Sequence, residues 1–92
     1  MDTKTLKYYK DAMYFVEHPE CVSEKELAKA TRLKRQVERF LDKQTTRIQR
    51  IIYHKYIQGM SWNDVASAMG RMCTADSVRQ ELYRAMNGND TS

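Results

Sequence analysis

The sequence predicts an all-α fold, in which an N-terminal helical hairpin is followed by a three-helix unit containing a helix-turn-helix. Composition is the first observation, because the 92 residues include only three glycines and one proline and are rich in helix-forming residues. Periodicity is the second, because apolar residues recur every three or four positions along most of the chain. The third is a set of serine and threonine residues at positions where they can cap helix N-termini.

The first helix is predicted over residues 3–17, before the only proline of the chain. Its main apolar stripe consists of Leu6, Tyr9, Met13 and Val16. A second stripe beside it consists of Tyr8, Ala12 and Phe15. Together the two stripes form an apolar face that is wide enough for contacts on two sides. We expect the helix to end at His18, because a residue before proline disfavours the helical conformation.

A second helix is predicted from Ser23 to about Lys43. Ser23 is a suitable N-cap, and Glu26 three residues later completes the pattern of a capping box. The apolar stripe of this helix consists of Leu27, Ala30, Leu33, Val37, Phe40 and Leu41. We expect the first two helices to form an antiparallel hairpin over residues 1–44, whose remaining apolar surface is suited to dimerisation or to a partner.

Two shorter helices are predicted next. The third helix covers residues 45–58 and ends at Gly59, because glycine readily adopts the left-handed conformation at a helix C-terminus. Ser61, with Asp64 at the third helical position, caps a fourth helix that ends at Gly70. The inward-facing residues of these two helices are Ile48, Ile51, Ile52, Tyr56, Trp62, Val65, Ala66 and Met69.

The fifth helix is predicted over residues 75–86, with Thr74 as its N-cap. Its inward side consists of Val78, Leu82, Ala85 and Met86. Residues 45–86 are therefore expected to form one three-helix unit, and the polar residues 87–92 are expected to form a flexible tail.

Positive charge is concentrated in the middle of the chain. The net charge is +4, and residues 31–55 carry eight Lys or Arg against two acidic residues. A basic block of this kind attracts a phosphate backbone. A solvated basic helix face explains the same pattern equally well at this stage.

The sequence lacks the features of a membrane or secreted protein. It contains no stretch of about 18 apolar residues, and its charged N-terminus lacks the apolar core of a signal peptide. Cys21 and Cys73 are the only cysteines, and their isolation fits free thiols in a reducing compartment. We therefore expect a cytoplasmic protein that does not contact a membrane.

No residue pattern of an enzyme or a metal site is evident. His18 and His54 lack a second ligand at metal-binding spacing. Glu24 and Glu26 lie in a first helical turn, where carboxylates favour the helix dipole. A glycine-rich phosphate loop is also missing. We expect neither catalysis nor a bound metal ion or cofactor.

The fourth and fifth predicted helices form a helix-turn-helix pattern. A short helix, a turn containing Gly70 and a second helix follow one another over residues 61–86. The outward side of the second helix consists of Asp76, Ser77, Arg79, Gln80, Tyr83 and Arg84. Arg pairs with guanine and Gln with adenine in the DNA major groove, which admits one α-helix.

This part of the chain resembles a known family. Residues 56–70 are similar to the C-terminal, region-four-like part of bacterial sigma factors, in which a tyrosine and a glycine precede a short capped helix that ends in glycine. Residues 77–86 resemble the recognition helix of that region, although the turn over residues 71–74 is longer than is usual in the family. The chain resembles, over roughly residues 45–86, small sigma-like proteins of phages and prophages, including the ArpU-type transcriptional regulators, which combine such a region with an N-terminal helical segment.

The resemblance implies a sequence-specific transcriptional regulator, encoded by a phage or prophage, that reads the major groove of duplex DNA with residues 75–86. It implies base contacts from Asp76, Ser77, Arg79, Gln80 and Arg84. It implies phosphate contacts from Arg47, Arg50, Lys55, Arg71 and Thr74. A homodimer on a short DNA site is a further expectation.

Two alternative functions remain open at this stage. The first is a protein-interaction module that docks on RNA polymerase or another regulator, because the last third of the chain is close to neutral and the first helix has a wide apolar face. The second is the DNA-recognition subunit of a phage packaging terminase, because such subunits also use helical DNA-binding domains.

Overall fold

The predicted all-α class is confirmed. The computed structural model describes residues 1–70 and 72–87, and this part of the chain contains five α-helices and no strand. The helices are α1 (Thr3–Glu17), α2 (Glu24–Asp42), α3 (Thr46–Ile52), α4 (Trp62–Met69) and α5 (Ala75–Asn87). The chain divides into two compact units, Met1–Lys43 and Gln44–Ser92. We refer to them as unit one and unit two.

Helix starts are fixed by short side chains, two of them as predicted. The Ser23 Oγ accepts a hydrogen bond from the backbone N–H of Glu26 at 3.2 Å, and the Ser61 Oγ accepts one from Asp64 at 3.1 Å. These bonds satisfy backbone donors that have no partner inside the first helical turn. Asp2 provides the same type of cap for α1, with its carboxylate 2.8 Å from the Thr5 nitrogen.

In unit one, α1 packs against α2. The connection between them is short and contains a single turn of 3₁₀-helix at Pro19–Cys21. The Tyr9 hydroxyl donates a hydrogen bond to Glu38, near the end of α2, at 3.3 Å, so the two helices run antiparallel. The buried residues of the unit are Leu6, Tyr9, Ala12, Ala30 and Val37.

The third helix differs from the prediction of one regular helix over residues 45–58. The α-helix ends at Ile52 and continues as a π-helical segment at Tyr53–Ile57. The Gln58 N–H accordingly donates to the Tyr53 carbonyl oxygen, five residues earlier, at 3.0 Å. Gly59 then ends the segment with φ +73°, which is the left-handed conformation predicted for it.

In unit two, α3, α4 and α5 pack on one another. The core of the unit consists of Ile48, Ile51, Ile52, Val65, Ala66, Val78, Leu82 and Met86. Because α5 packs on both other helices, its orientation within the unit is determined by this core. Asn87 is the last residue of α5 and not part of a tail, and the remaining tail residues, 88–92, lie outside the described residues.

The state of the cysteines and the character of the helices were both predicted from the sequence. Cys21 and Cys73 are free cysteines, as predicted. Among the described residues, every helix is too short or too polar to cross a membrane.

Candidate nucleic-acid interface

The polar face of α5 is exposed along its whole length. All six residues predicted to point outward are exposed, namely Asp76, Ser77, Arg79, Gln80, Tyr83 and Arg84. The buried residues of the helix, Val78, Leu82 and Met86, recur every four positions and lie on the opposite side. The helix is therefore anchored by one face and presents the other to solvent.

The start of α5 is held by a reciprocal pair of hydrogen bonds. The Thr74 Oγ1 accepts a hydrogen bond from the Ser77 N–H at 3.1 Å, which confirms Thr74 as the predicted N-cap. The Ser77 Oγ in turn accepts one from the Thr74 N–H at 3.0 Å. Thr74 is predicted to contact phosphate and Ser77 to contact a base, and in the free protein both hydroxyls take part in fixing the first turn.

Asp76 and Arg79 form an ion pair on the same helix. The Arg79 Nη2 lies 3.0 Å from the Asp76 Oδ1, and the side chains are 45% and 78% exposed. An exposed pair at this spacing contributes about 0–1 kcal/mol, so a stronger partner can displace it. Both predicted base-contacting groups remain accessible, but in the free protein they neutralise each other.

Gln80 and Arg84 are one helical turn apart on the exposed face of α5. Neither side chain makes a hydrogen bond or an ion pair with any other described residue. Side chains at this spacing are neighbours on a helix surface. They are therefore the two polar groups of the face that are open to an external partner.

An aromatic and cationic cluster lies beside this face, and it was not evident from the sequence. The rings of Trp62 and Tyr83 are edge to face, with centroids 6.4 Å apart. The Lys55 ammonium lies 5.1 Å from the centre of the Trp62 ring and donates to the Met60 carbonyl oxygen at 3.2 Å. Trp62 is half-buried, so it supports Tyr83 at the surface while contacting Lys55. Only the folded unit brings these separated positions together.

Arg47 joins three elements of unit two. Its Nε lies 2.6 Å from the Glu81 carboxylate on α5, and its Nη2 lies 3.4 Å from the Cys73 sulfur in the turn before α5. The hydrogen bond to Glu81 raises the pKa of Arg47 above its usual value. The guanidinium is therefore occupied by an internal anion, although its side chain is 45% exposed.

The other cations predicted to contact phosphate also have internal contacts or lie outside the described residues. The Arg50 Nη2 is 3.4 Å from the Ala68 carbonyl oxygen, and Lys55 is held as described above. Arg71 lies outside the described residues. The oxygens that accept hydrogen bonds from Arg50 and Lys55 are uncharged backbone carbonyls. These hydrogen bonds therefore leave the positive charge of both side chains uncompensated.

The charge of unit two is modest. Residues 44–92 carry six Lys or Arg and four Asp or Glu, and two of these acids pair with Arg47 and Arg79. Arg84 is therefore the cation of α5 that has no acidic partner among residues 72–87. Within the described parts of the chain, no group of three or more His, Cys, Asp or Glu residues is placed to hold a metal ion.

Comparison of this chain with protein-family models, curated proteins and solved structures gave no significant match.

Proposed function

We propose that this chain regulates transcription by binding duplex DNA, with α5 of unit two inserted into the major groove. The observation that carries the proposal is the pair Gln80 and Arg84, which lie open and adjacent on a helix whose opposite face is buried. Gln matches the donor and acceptor pattern of adenine, and Arg matches that of guanine. Both side chains can contact a base without any change in the core of unit two.

The dimensions of α5 suit this role. Its 13 residues extend over about 20 Å. The major groove is about 12 Å wide and accepts a single α-helix. Arg79 is the third candidate, and Asp76 holds its guanidinium until a base or phosphate replaces the carboxylate.

The other described residues that were predicted to contact DNA fall into two groups in this proposal: some contact phosphate, and the others position α5. Arg50 and Lys55 supply phosphate contacts, because their internal partners are uncharged carbonyl oxygens. Arg47 orients α5 through Glu81. Thr74 and Ser77 fix the first turn of α5, so that the backbone at the helix N-terminus is held in place.

Selection of bound fragments from a random duplex pool tests the proposal. We expect a short preferred site, and a palindromic site if two copies bind together as a homodimer. On that site, Arg84→Ala should reduce affinity roughly five- to 150-fold and relax the preference at one base pair. Lys7→Ala removes an exposed cation from unit one and is the matched control. Failure to enrich any site, or unchanged preference in Arg84→Ala, would contradict the proposal.

A protein-docking role is the second candidate, and one observation favours it. Met72 is 95% exposed in the turn before α5, and Tyr83 is 40% exposed on α5. These two side chains are large enough to anchor a contact with another protein. If RNA polymerase is the partner, purified polymerase should bind the wild-type chain and lose binding in the Met72→Ser/Tyr83→Ala variant, while the random pool yields no site.

A further inference from the structure

The exposed side of α2 carries a continuous row of cations. The row consists of Lys25, Lys29, Arg32, Arg35, Arg39 and Lys43, and all six residues are exposed. They recur every three or four positions, so they occupy about a third of the helix circumference. We call this row the α2 cationic stripe.

The stripe is not neutralised by the residues around it. None of its six side chains forms an ion pair or a hydrogen bond within the part of the chain that the structure describes. Lys34, which lies off the stripe, differs because it pairs with Glu38 at 2.8 Å. Glu38 also accepts a hydrogen bond from Tyr9, so both of its partners lie outside the stripe.

The other acids of α2 lie at its two ends. Glu24 and Glu26 are in the first turn, where they favour the helix dipole, and Asp42 is the last residue of the helix. The middle of the stripe is formed by Arg32, Arg35 and Arg39, and none of these three side chains forms an ion pair with a described residue. A row of arginines that lack ion-pair partners attracts an external anion.

The chemistry of the stripe favours phosphates of a nucleic acid over a lipid surface. An amphipathic helix that binds a membrane inserts its apolar side. The apolar side of α2 is instead buried, with Ala30 6% and Val37 0% exposed, and α1 packs against α2. Arginine also binds phosphate through two parallel hydrogen bonds, which lysine does not do.

The stripe is long enough to reach across a groove of duplex DNA. From Lys25 to Lys43 the helix rises about 27 Å. The major groove is about 12 Å wide, so cations of the stripe can reach phosphates on both sides of it. We infer that the α2 cationic stripe is a second DNA-contacting surface, which binds the phosphate backbone of duplex DNA irrespective of sequence. This inference takes its partner from the proposed function.

The test is the salt dependence of binding to a duplex that lacks the selected site. The variant Arg32→Gln/Arg35→Gln/Arg39→Gln removes three charges from exposed positions and retains helix-forming residues. The slope of log K against log salt is negative, and its magnitude, which we call the slope below, should fall by about 0.9 for each lost phosphate contact. Affinity at 0.1 M salt should fall roughly a hundredfold, because fewer counterions are released on binding.

The matched control removes the same charge from α1. Lys4, Lys7 and Lys10 are exposed, so Lys4→Gln/Lys7→Gln/Lys10→Gln should leave the slope close to that of the wild-type chain. A second stripe variant, Lys25→Gln/Lys29→Gln/Lys43→Gln, should lower the slope as the arginine variant does. Far-ultraviolet circular dichroism and thermal melting of each variant monitor the fold.

Several results would overturn the inference. They are an unchanged slope in both stripe variants, an equal loss in the α1 control, or stripe-dependent binding to phosphatidylserine vesicles that exceeds binding to duplex DNA. Failure of the proposed function is separable, because Arg84→Ala then leaves base preference unchanged while the stripe variants still lower the slope. Conversely, an unchanged slope together with altered preference in Arg84→Ala contradicts the stripe alone.

Discussion

Arg79 and Arg84 lie on the same exposed face of α5, but their charges are in different situations. The Arg79 guanidinium is 3.0 Å from the Asp76 carboxylate, whereas Arg84 has no partner among the described residues. A carboxylate that faces a DNA backbone is repelled by it, and it also competes for the neighbouring guanidinium. At the scale of single residues, we therefore expect Asp76 to limit the affinity of α5 for DNA in the proposed function.

Asp76→Asn should increase affinity for duplex DNA that lacks the selected site. We expect a rise of a few-fold to about tenfold at low salt, because one repulsion is removed and Arg79 is released. Fluorescence anisotropy with a labelled duplex measures the change. Asp11→Asn, at an exposed position of α1, is the control and should have a smaller effect. A fall in affinity for every duplex would mean that Asp76 contributes a contact of its own.

The sequence was informative about residues whose role is local. Ser23, Ser61 and Thr74 could be predicted as caps because the donor and acceptor of a cap are three positions apart. The partner of Arg47 could not be predicted, because Glu81 is 34 positions away and only the packing of α3 and α5 brings the two together. Whether a residue predicted to contact phosphate already has a partner inside the protein therefore depends on contacts between residues far apart in the sequence.

At the scale of helices, the boundaries of α1 could be predicted, since Pro19 stops the helix and the apolar stripe shows where it begins. The π-helical segment at Tyr53–Ile57 could not. Such a segment has the composition of an ordinary helix and differs from it in hydrogen bonding five residues apart, which leaves no local signal in the sequence. The reciprocal capping role of Ser77 was also missed, because serine in an exposed first turn fits a DNA contact equally well.

The hydrogen bond from Tyr9 to Glu38 connects α1 to α2 and makes the stability of unit one sensitive to alkaline pH. Burial raises the pKa of Tyr9 to about 12, and the nearby Glu38 carboxylate adds to this effect. In the unfolded chain a tyrosine ionises near its usual value of about 10. The folded state then retains the proton that the unfolded state loses, so stability is fully present below pH 10 and falls as the pH rises towards 12.

Chemical denaturation of the whole chain at pH 8, 10 and 11.5 measures this dependence. Tyr9→Phe removes the titrating group, so we expect its stability to fall less steeply above pH 10 than that of the wild-type chain. Burial also raises the pKa of Tyr56 in unit two, so Tyr56→Phe is a control that should leave the transition of unit one unchanged. Parallel pH curves for Tyr9→Phe and wild type would contradict the assignment.

At the scale of the whole molecule, the basic block of residues 31–55 belongs to two different units. Apart from Lys34, which pairs with Glu38, its cations on unit one are exposed and unpaired among the described residues, whereas Arg47, Arg50 and Lys55 make contacts inside unit two. The sequence showed the excess of charge but not this division, because the state of each cation depends on the fold around it. In the proposed function the two units therefore contribute differently: α5 supplies base recognition, and the α2 cationic stripe supplies sequence-independent attraction.

Methylation interference on the selected duplex tests major-groove recognition by α5 most directly. Methylation of guanine at N7 blocks the acceptor that arginine uses in the major groove, whereas methylation of adenine at N3 alters the minor groove. We predict that N7 methylation of at least one guanine abolishes binding of the wild-type chain, and that Arg84→Ala is insensitive to the same methylation. Binding that tolerates N7 methylation at every guanine, or that N3 methylation alone disrupts, would contradict major-groove recognition by α5.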